Sequence, residues 1–346
     1  MANLSITSSC NRACTYCFAR EAKEDTPAGD PHMSAGTFGE ALDFLERSGM
    51  AQARLLGGEP TLHPEFGAFI HMAARRGLDL LLFSNGLMPE PALRTLEEIP
   101  ADQVHILINV TDAGTTDYGL STRQREVFSR LGDRIMLGFN IYSPAADFYF
   151  LLDVIRKFDL FPNLRLGIAH PCINRANQHL HPRHYNGMGD KIIKFALRTR
   201  EAGIKLELDC GFVPCMFSEE GLKILRDTVT EIGRRCSPIL DMLPDGRVVP
   251  CYPLSALCSI KVSQSDNAKM LRGEFERRLS PYRQIGIFRE CSSCGFFTEG
   301  LCYGGCLAAA MRRLQGSKAL FTMAKNQERQ VRGLFQKRKT LSGPRG

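Results

Sequence analysis

Six short apolar runs recur along the first half of the chain: LSIT (4–7), ARLLGG (53–58), LDLLLFSNG (78–86), VHILINV (104–110), RIMLGFNIY (134–142) and LRLGIAH (164–170). Each is strand length, rich in Leu, Ile and Val, and apolar nearly throughout, the pattern of a strand buried on both faces. Segments of helical periodicity separate them, and a seventh run, IKLELDC (204–210), follows. Strands of this kind alternating with helices imply a parallel sheet covered by helices. Six such units predict an α/β chain: a partial (β/α)6 barrel, TIM-like in architecture, over residues 1–209. A smaller cysteine-rich C-terminal domain is expected at 210–311, and a basic helix and tail at 312–346.

The helical segments carry their own stop signals. In TFGEALDFLERSG the apolar Phe38, Leu42 and Leu45 recur at helical spacing and Gly49 ends the run, while PEFGAFIHMAARRG closes at Gly77. In such a barrel, chemistry gathers at the carboxyl ends of the strands. The unusual residues fall there: Cys10, Cys14 and Cys17 after the first strand, and Gly57, Gly58, Glu59 and Pro60 after the second. Ser84, Asn85 and Gly86 follow the third, Asn109 and Asp112 the fourth, Asn140 the fifth and His170 the sixth. Turn chemistry accounts for each glycine or asparagine singly, but not for a cysteine triplet on the same rim.

Thirteen cysteines in 346 residues exceed what a reducing compartment ordinarily calls for. The start, MANLSITSSC, has no basic and apolar signal segment, and no run of eighteen apolar residues could span a membrane. Clustered thiols then point to metal rather than disulfides, and to a cytoplasmic protein. The net charge of +7 is local: from Arg312 onward ten Lys or Arg stand against Glu328 alone, a balance of +9, which leaves the preceding residues at −2. The body is therefore not basic, a nucleic-acid partner is not expected, and the tail reads as a solvated terminus.

Three thiolates on one loop can hold three irons of a four-iron cluster and leave the fourth open to a further ligand. CxxxCxxC with an aromatic residue at Tyr16, joined to LLGGEPTLHPEF (55–66) and FSNG (83–86), resembles the radical S-adenosylmethionine family. The resemblance implies that the open iron of a [4Fe-4S] cluster on Cys10, Cys14 and Cys17 chelates the amino and carboxylate groups of S-adenosyl-L-methionine. It matches Gly57, Gly58, Glu59 and Pro60 to the motif contacting the methionine amino group. It also puts Ser84, Asn85, Asn109 and Asn140 where ribose hydroxyls or the carboxylate would bond. The implied activity is reductive cleavage to a 5'-deoxyadenosyl radical that abstracts a hydrogen atom from substrate, fed by an external low-potential electron donor. His170 is expected to be a packed, hydrogen-bonded side chain.

The barrel needs three cysteines, which leaves ten. Cys210 and Cys215 come first, then Cys236, Gly246 and Cys251 as Cx9Gx4C, Cys258, and Cys291, Cys294, Cys302 and Cys306 as CxxCx7CxxxC. Paired thiols two or three apart clamp an ion or a cluster corner. A zinc ribbon would use four and leave several idle. This half resembles the SPASM extension, which carries auxiliary [4Fe-4S] clusters. On that pattern Cys236, Cys251 and Cys306 belong to an inner cluster and Cys291, Cys294 and Cys302 to an outer one. The chain departs from it in the seven-residue gap before Cys302 and in having no cysteine after Cys306. Cys258, Cys210 or Cys215 can fill the vacancies; an open iron, or a single auxiliary cluster as in the twitch variant, are the alternatives. Cys172 is expected to be a structural or free thiol.

The substrate is expected to be a peptide or protein side chain, with a small metabolite or sugar as the alternative. The chain opens on its first strand without an N-terminal peptide-recognition domain, which tempers the peptide reading. A zinc or iron-sulfur binding module without radical chemistry is the reading from another class; it accounts for the C-terminal thiols but not for Cys10 to Cys17 beside GGEP.

Overall fold

The structure, a computed structural model, describes residues 1–19, 30–111, 117–232 and 236–314. Eight parallel strands follow one another in chain order: β1 (Asn3–Thr7), β2 (Gln52–Gly57), β3 (Asp79–Ser84), β4 (Val104–Val110), β5 (Ile135–Ile141), β6 (Asn163–Ile168), β7 (Lys205–Leu208) and β8 (Val229–Ile232). Helices connect them: α1 (Ala35–Arg47), α2 (Phe66–Arg75), α3 (Glu90–Glu98), α4 (Thr122–Leu131), α5 (Phe150–Lys157), α6 (Tyr185–Glu201) and α7 (Glu219–Thr228). This is the partial barrel expected, extended beyond six units by β7 and by β8, whose VTEI carries too little apolar signal to stand out.

Alternation decides which residues face the helices. Ile106, Ile108 and Val110 of β4 and Leu137, Phe139 and Ile141 of β5 join one hydrophobic core with Phe38, Leu42 and Leu45 of α1 and with Phe69 of α2, whose ring stacks on Phe38 at 4.1 Å. Each such side chain contributes about 1.5–3 kcal/mol on burial. Ser34 caps α1 by accepting a hydrogen bond from Thr37 N, and Gly49 and Gly77 take left-handed backbone (φ 65° and 68°) where the helices stop.

The cysteine-rich region adds to the other edge of the same sheet. β9 (Asp241–Met242) pairs parallel with β1, opposing Asn3 and Leu4, and β10 (Arg247–Val249) and β11 (Ile260–Lys261) continue antiparallel. The sheet order is thus β11-β10-β9-β1-β2-β3-β4-β5-β6-β7-β8. α8 (Ala268–Leu279), α9 (Gly295–Thr298) and α10 (Leu307–Arg313) complete the described chain. Among the described residues no helix is long and apolar enough to cross a membrane. The tail after Leu314, for which a helix was expected, lies outside the described residues.

Candidate functional site

The carboxyl ends of β1 and β2 are pressed together by backbone. Gly58 N donates to Thr7 O (2.7 Å) and Glu59 N to Ser9 O (2.8 Å). A Cβ on Gly57 would lie 2.2 Å from Thr7 O, and one on Gly58 1.9 Å from Ser9 O. Both positions therefore require glycine, because the strand that begins the cysteine loop passes directly over them.

Glu59 is fully buried, and its carboxylate accepts four hydrogen bonds. Oε1 takes Thr61 Oγ1 (2.7 Å), Thr61 N (3.3 Å) and Ser84 Oγ (2.9 Å), and Oε2 takes Asn85 N (2.7 Å). Burial pushes its pKa up, and these four donors pull back without reversing the shift. The side chain is occupied in tying β2 to β3, so the part of this motif open to a ligand is backbone. Pro60 starts the short 3-10 turn that carries Thr61 back to Glu59.

The cysteine loop is held on two sides. On one, Asn85 Nδ2 donates to Asn11 Oδ1 (2.8 Å) and lies 4.0 Å from Cys10 Sγ, while Asn11 Nδ2 donates to Leu87 O (2.9 Å). On the other, the segment after β6 latches on: Gln178 N donates to Thr15 O (2.9 Å), Thr15 Oγ1 to Gln178 Oε1 (2.7 Å), and Asn177 Nδ2 to Tyr16 O (3.2 Å) and His170 O (2.8 Å). Cys10 is exposed and Cys14 and Cys17 are half-buried. Tyr16 stacks on Tyr142 at the end of β5, with centroids 4.8 Å apart. Asn140 Nδ2 reaches Asn109 Oδ1 at 3.5 Å, and both side chains have room because β5 and β6 offer Gly138 and Gly167 beside them, where a Cβ would come within 2.6 and 2.9 Å. Asp112 lies outside the described residues.

The inner face of the sheet holds charged residues that the sequence reading passed over. Arg54 and Arg165 each lie over the Phe83 ring, at 5.3 and 5.6 Å, and Arg165 pairs with Asp209 at 2.6 Å. Their signal was the charge at alternate positions of apolar strands, in ARLLGG, LRLGIAH and LELDC. His170 is buried, with Nε2 3.6 Å from Cys210 Sγ, and Cys172 is buried with its thiol donating to Phe18 O (3.5 Å).

The remaining thiols fall into two groups. Cys215, Cys291, Cys294 and Cys302 line one apolar pocket with Val213, Phe288 and Phe297. Burial pushes the Cys215 thiol up to about 11, and Cys302, Cys291 and Cys294 beside it add to the shift. Cys236, Cys251 and Cys306 meet in a second apolar cluster with Leu254 and Leu307. Burial, then the neighbouring Cys236, Cys306, Asp241 and Cys210, hold the Cys251 thiol well above its ordinary range. Cys258 stands apart, its charged neighbours being Arg278 and Glu274. All thirteen cysteines are free of disulfides. Among the described residues no three His, Cys, Asp or Glu side chains are placed to hold a single metal ion. Unpaired thiols gathered in apolar surroundings are the donor set an iron-sulfur cluster takes, so the residues present fit one.

Comparison with known proteins agrees with this architecture. The chain is 39% identical over 95 residues to an S-adenosylmethionine-dependent nucleotide dehydratase of Selenomonas ruminantium, a match covering 26% of this chain and 32% of that protein. The chain thus spans about a third of the length of the curated relatives it matches. The structure of native anSMEcpe with bound AdoMet superposes with a TM-score of 0.62 at 17% identity, covering 99% of each chain. That of Streptococcus suis SuiB bound to precursor peptide SuiA superposes at 0.61 with 13% identity, covering 92% of this chain and 73% of the other. Residues 4–119 match the Radical SAM superfamily.

Proposed function

We propose that the chain is a radical S-adenosylmethionine enzyme, with a barrel at 1–209 and an auxiliary-cluster region at 210–311. The observation that carries this reading is the packing of GGEP against the cysteine loop. Gly57 and Gly58 let β2 touch Thr7 and Ser9, so the backbone of Glu59 and Pro60 stands beside the loop of Cys10, Cys14 and Cys17. Cys10, Cys14 and Cys17 would hold a [4Fe-4S] cluster there, with S-adenosyl-L-methionine beside it on the Gly57 to Pro60 turn, and the pair would supply reductive one-electron chemistry for hydrogen-atom abstraction from substrate.

The chain's own residues hold, orient and enclose. Cys10, Cys14 and Cys17 are the cluster ligands. Backbone carbonyls of the Gly57 to Pro60 turn accept from the methionine ammonium. Asn109 and Asn140, side by side on the inner face, bond ribose hydroxyls or carboxylate, and Tyr16 packs against the adenosyl group. Ser84 acts through Glu59, and Asn85 acts both through Glu59 and on Cys10. An external low-potential donor supplies electrons, and Cys236, Cys251 and Cys306 with Cys291, Cys294 and Cys302 would hold auxiliary clusters that would supply an electron path to or from the active site. The substrate is a peptide or protein side chain, which this fold accommodates in the S. suis protein solved with its precursor peptide. The nucleotide chemistry named for the S. ruminantium relative favours a small metabolite as the second reading.

Cys14→Ala should abolish 5'-deoxyadenosine formation in anaerobically reconstituted protein while leaving the circular dichroism spectrum intact. Retained formation at the wild-type rate would overturn the assignment.

A further inference from the structure

The short segment after β7 contributes a thiol, Cys215, to one of the two C-terminal groups. Cys215 lines the pocket of Cys291, Cys294 and Cys302, between Val213 and Phe288. A Cβ on Gly286 would stand 2.4 Å from Cys291 Sγ, and Gly304 N donates to Cys302 Sγ at 3.3 Å. Cys210, five positions earlier, has its Sγ 3.6 Å from His170 Nε2. The buried Tyr185 of α6 has Cys306, Cys215 and Cys210 as its charged neighbours. Cys258, the other spare thiol, faces Arg278, Glu274 and Tyr282.

We propose that Cys215 is the fourth ligand of the outer auxiliary cluster, so that the loop after β7 ties this cluster to the barrel. This rests on the functional reading above, and it decides what the cluster can do. With four thiolates the outer cluster would have no open iron, so it would carry electrons and bind no substrate.

The test compares wild type, Cys215→Ala, Cys215→Ser and Cys258→Ala, reconstituted anaerobically, by iron and sulfide content and by low-temperature EPR after dithionite reduction. Wild type should hold about twelve irons. Cys215→Ala should lose about four of them and one EPR component, with the others unchanged. Cys215→Ser should keep its iron with shifted g-values, because oxygen replaces one sulfur. Cys258→Ala should match wild type. Full iron and an unchanged spectrum in Cys215→Ala, or loss of a cluster in Cys258→Ala, would overturn the ligand assignment alone. If Cys215→Ala lost all auxiliary iron, Cys215→Ser would decide: retained iron supports ligation, and lost iron refutes it. A wild-type protein with about four irons and stoichiometric zinc would overturn the auxiliary clusters and this assignment together.

Discussion

An alanine at position 58 would put its Cβ 1.9 Å from the Ser9 carbonyl oxygen, so the backbone must yield. Gly58→Ala should cost about 2–4 kcal/mol and displace the loop that carries Cys10. The check is iron content: the variant should lose the first cluster's iron and keep the rest. Asp241 sets a pH dependence instead. Burial raises its pKa to about 6, against the hydrogen bonds from Asn3 Nδ2 and Tyr252 N that pull it down. The folded state therefore holds a proton that the unfolded chain releases near pH 4. The stability this provides is full below that point and is lost as pH rises through about 6, on the order of 3 kcal/mol in all. Asp241→Asn should flatten that decline in urea melts of the cluster-free protein. Asn3 Oδ1 is buried without a partner, so a flipped Asn3 amide can accept from the amide introduced at position 241, and both hydrogen bonds survive. A decline as steep as wild type would assign the titration elsewhere. At this scale the glycine pair was legible as a motif, but its cause was not. The residues it must avoid, Thr7 and Ser9, are about fifty positions away in sequence, and no local pattern announces them.

The segment that leaves β6 serves three elements. Its residues Asn177 and Gln178 hold the cysteine loop, His170 meets Cys210 beyond β7, and Arg312 near the end of α10 donates to Cys172 O, Ile173 O and Arg175 O at 3.0–3.3 Å. Asn177 joins these by also accepting from Cys172 N (3.0 Å). Asn177→Ala removes these bonds and should cost about 1–3 kcal/mol. Its effect should appear as faster loss of the first cluster to a chelator, with auxiliary iron unchanged. Equal loss from all clusters would mean a general weakening of the fold. The strands themselves were legible because β1 to β6 are continuous apolar runs. β9, β10 and β11 were not, since strands of two or three residues carry no periodicity and exist only through pairing, β9 with β1, β10 with β9, and β11 with β10. Cys215 was legible only as one of three thiols able to fill a vacancy beside Cys291, because a spacing rule reads neighbours and the pocket they share joins two distant segments.

Across the whole molecule the charge is uneven, with the excess of Lys and Arg after Arg312. Deleting residues 326–346 should leave 5'-deoxyadenosine formation nearly unchanged and remove most salt-sensitive binding to anionic resins or vesicles. Loss of iron on truncation would instead make that segment part of the core. The sheet itself ties the two halves, since β1 is flanked by β2 on one side and β9 on the other. That pairing has a consequence for how the protein is made. Asn3 leaves the ribosome ahead of its partner Asp241, which follows roughly 10–50 s later at ordinary elongation rates. Through that interval the edge of β1 stays open and the three thiols beside it stand on an unfinished scaffold, exposed to oxidation and to competing metals. Iron loading is thus best placed after translation ends, and a host that supplies iron and sulfide to the completed chain should yield more intact protein than one that merely translates faster.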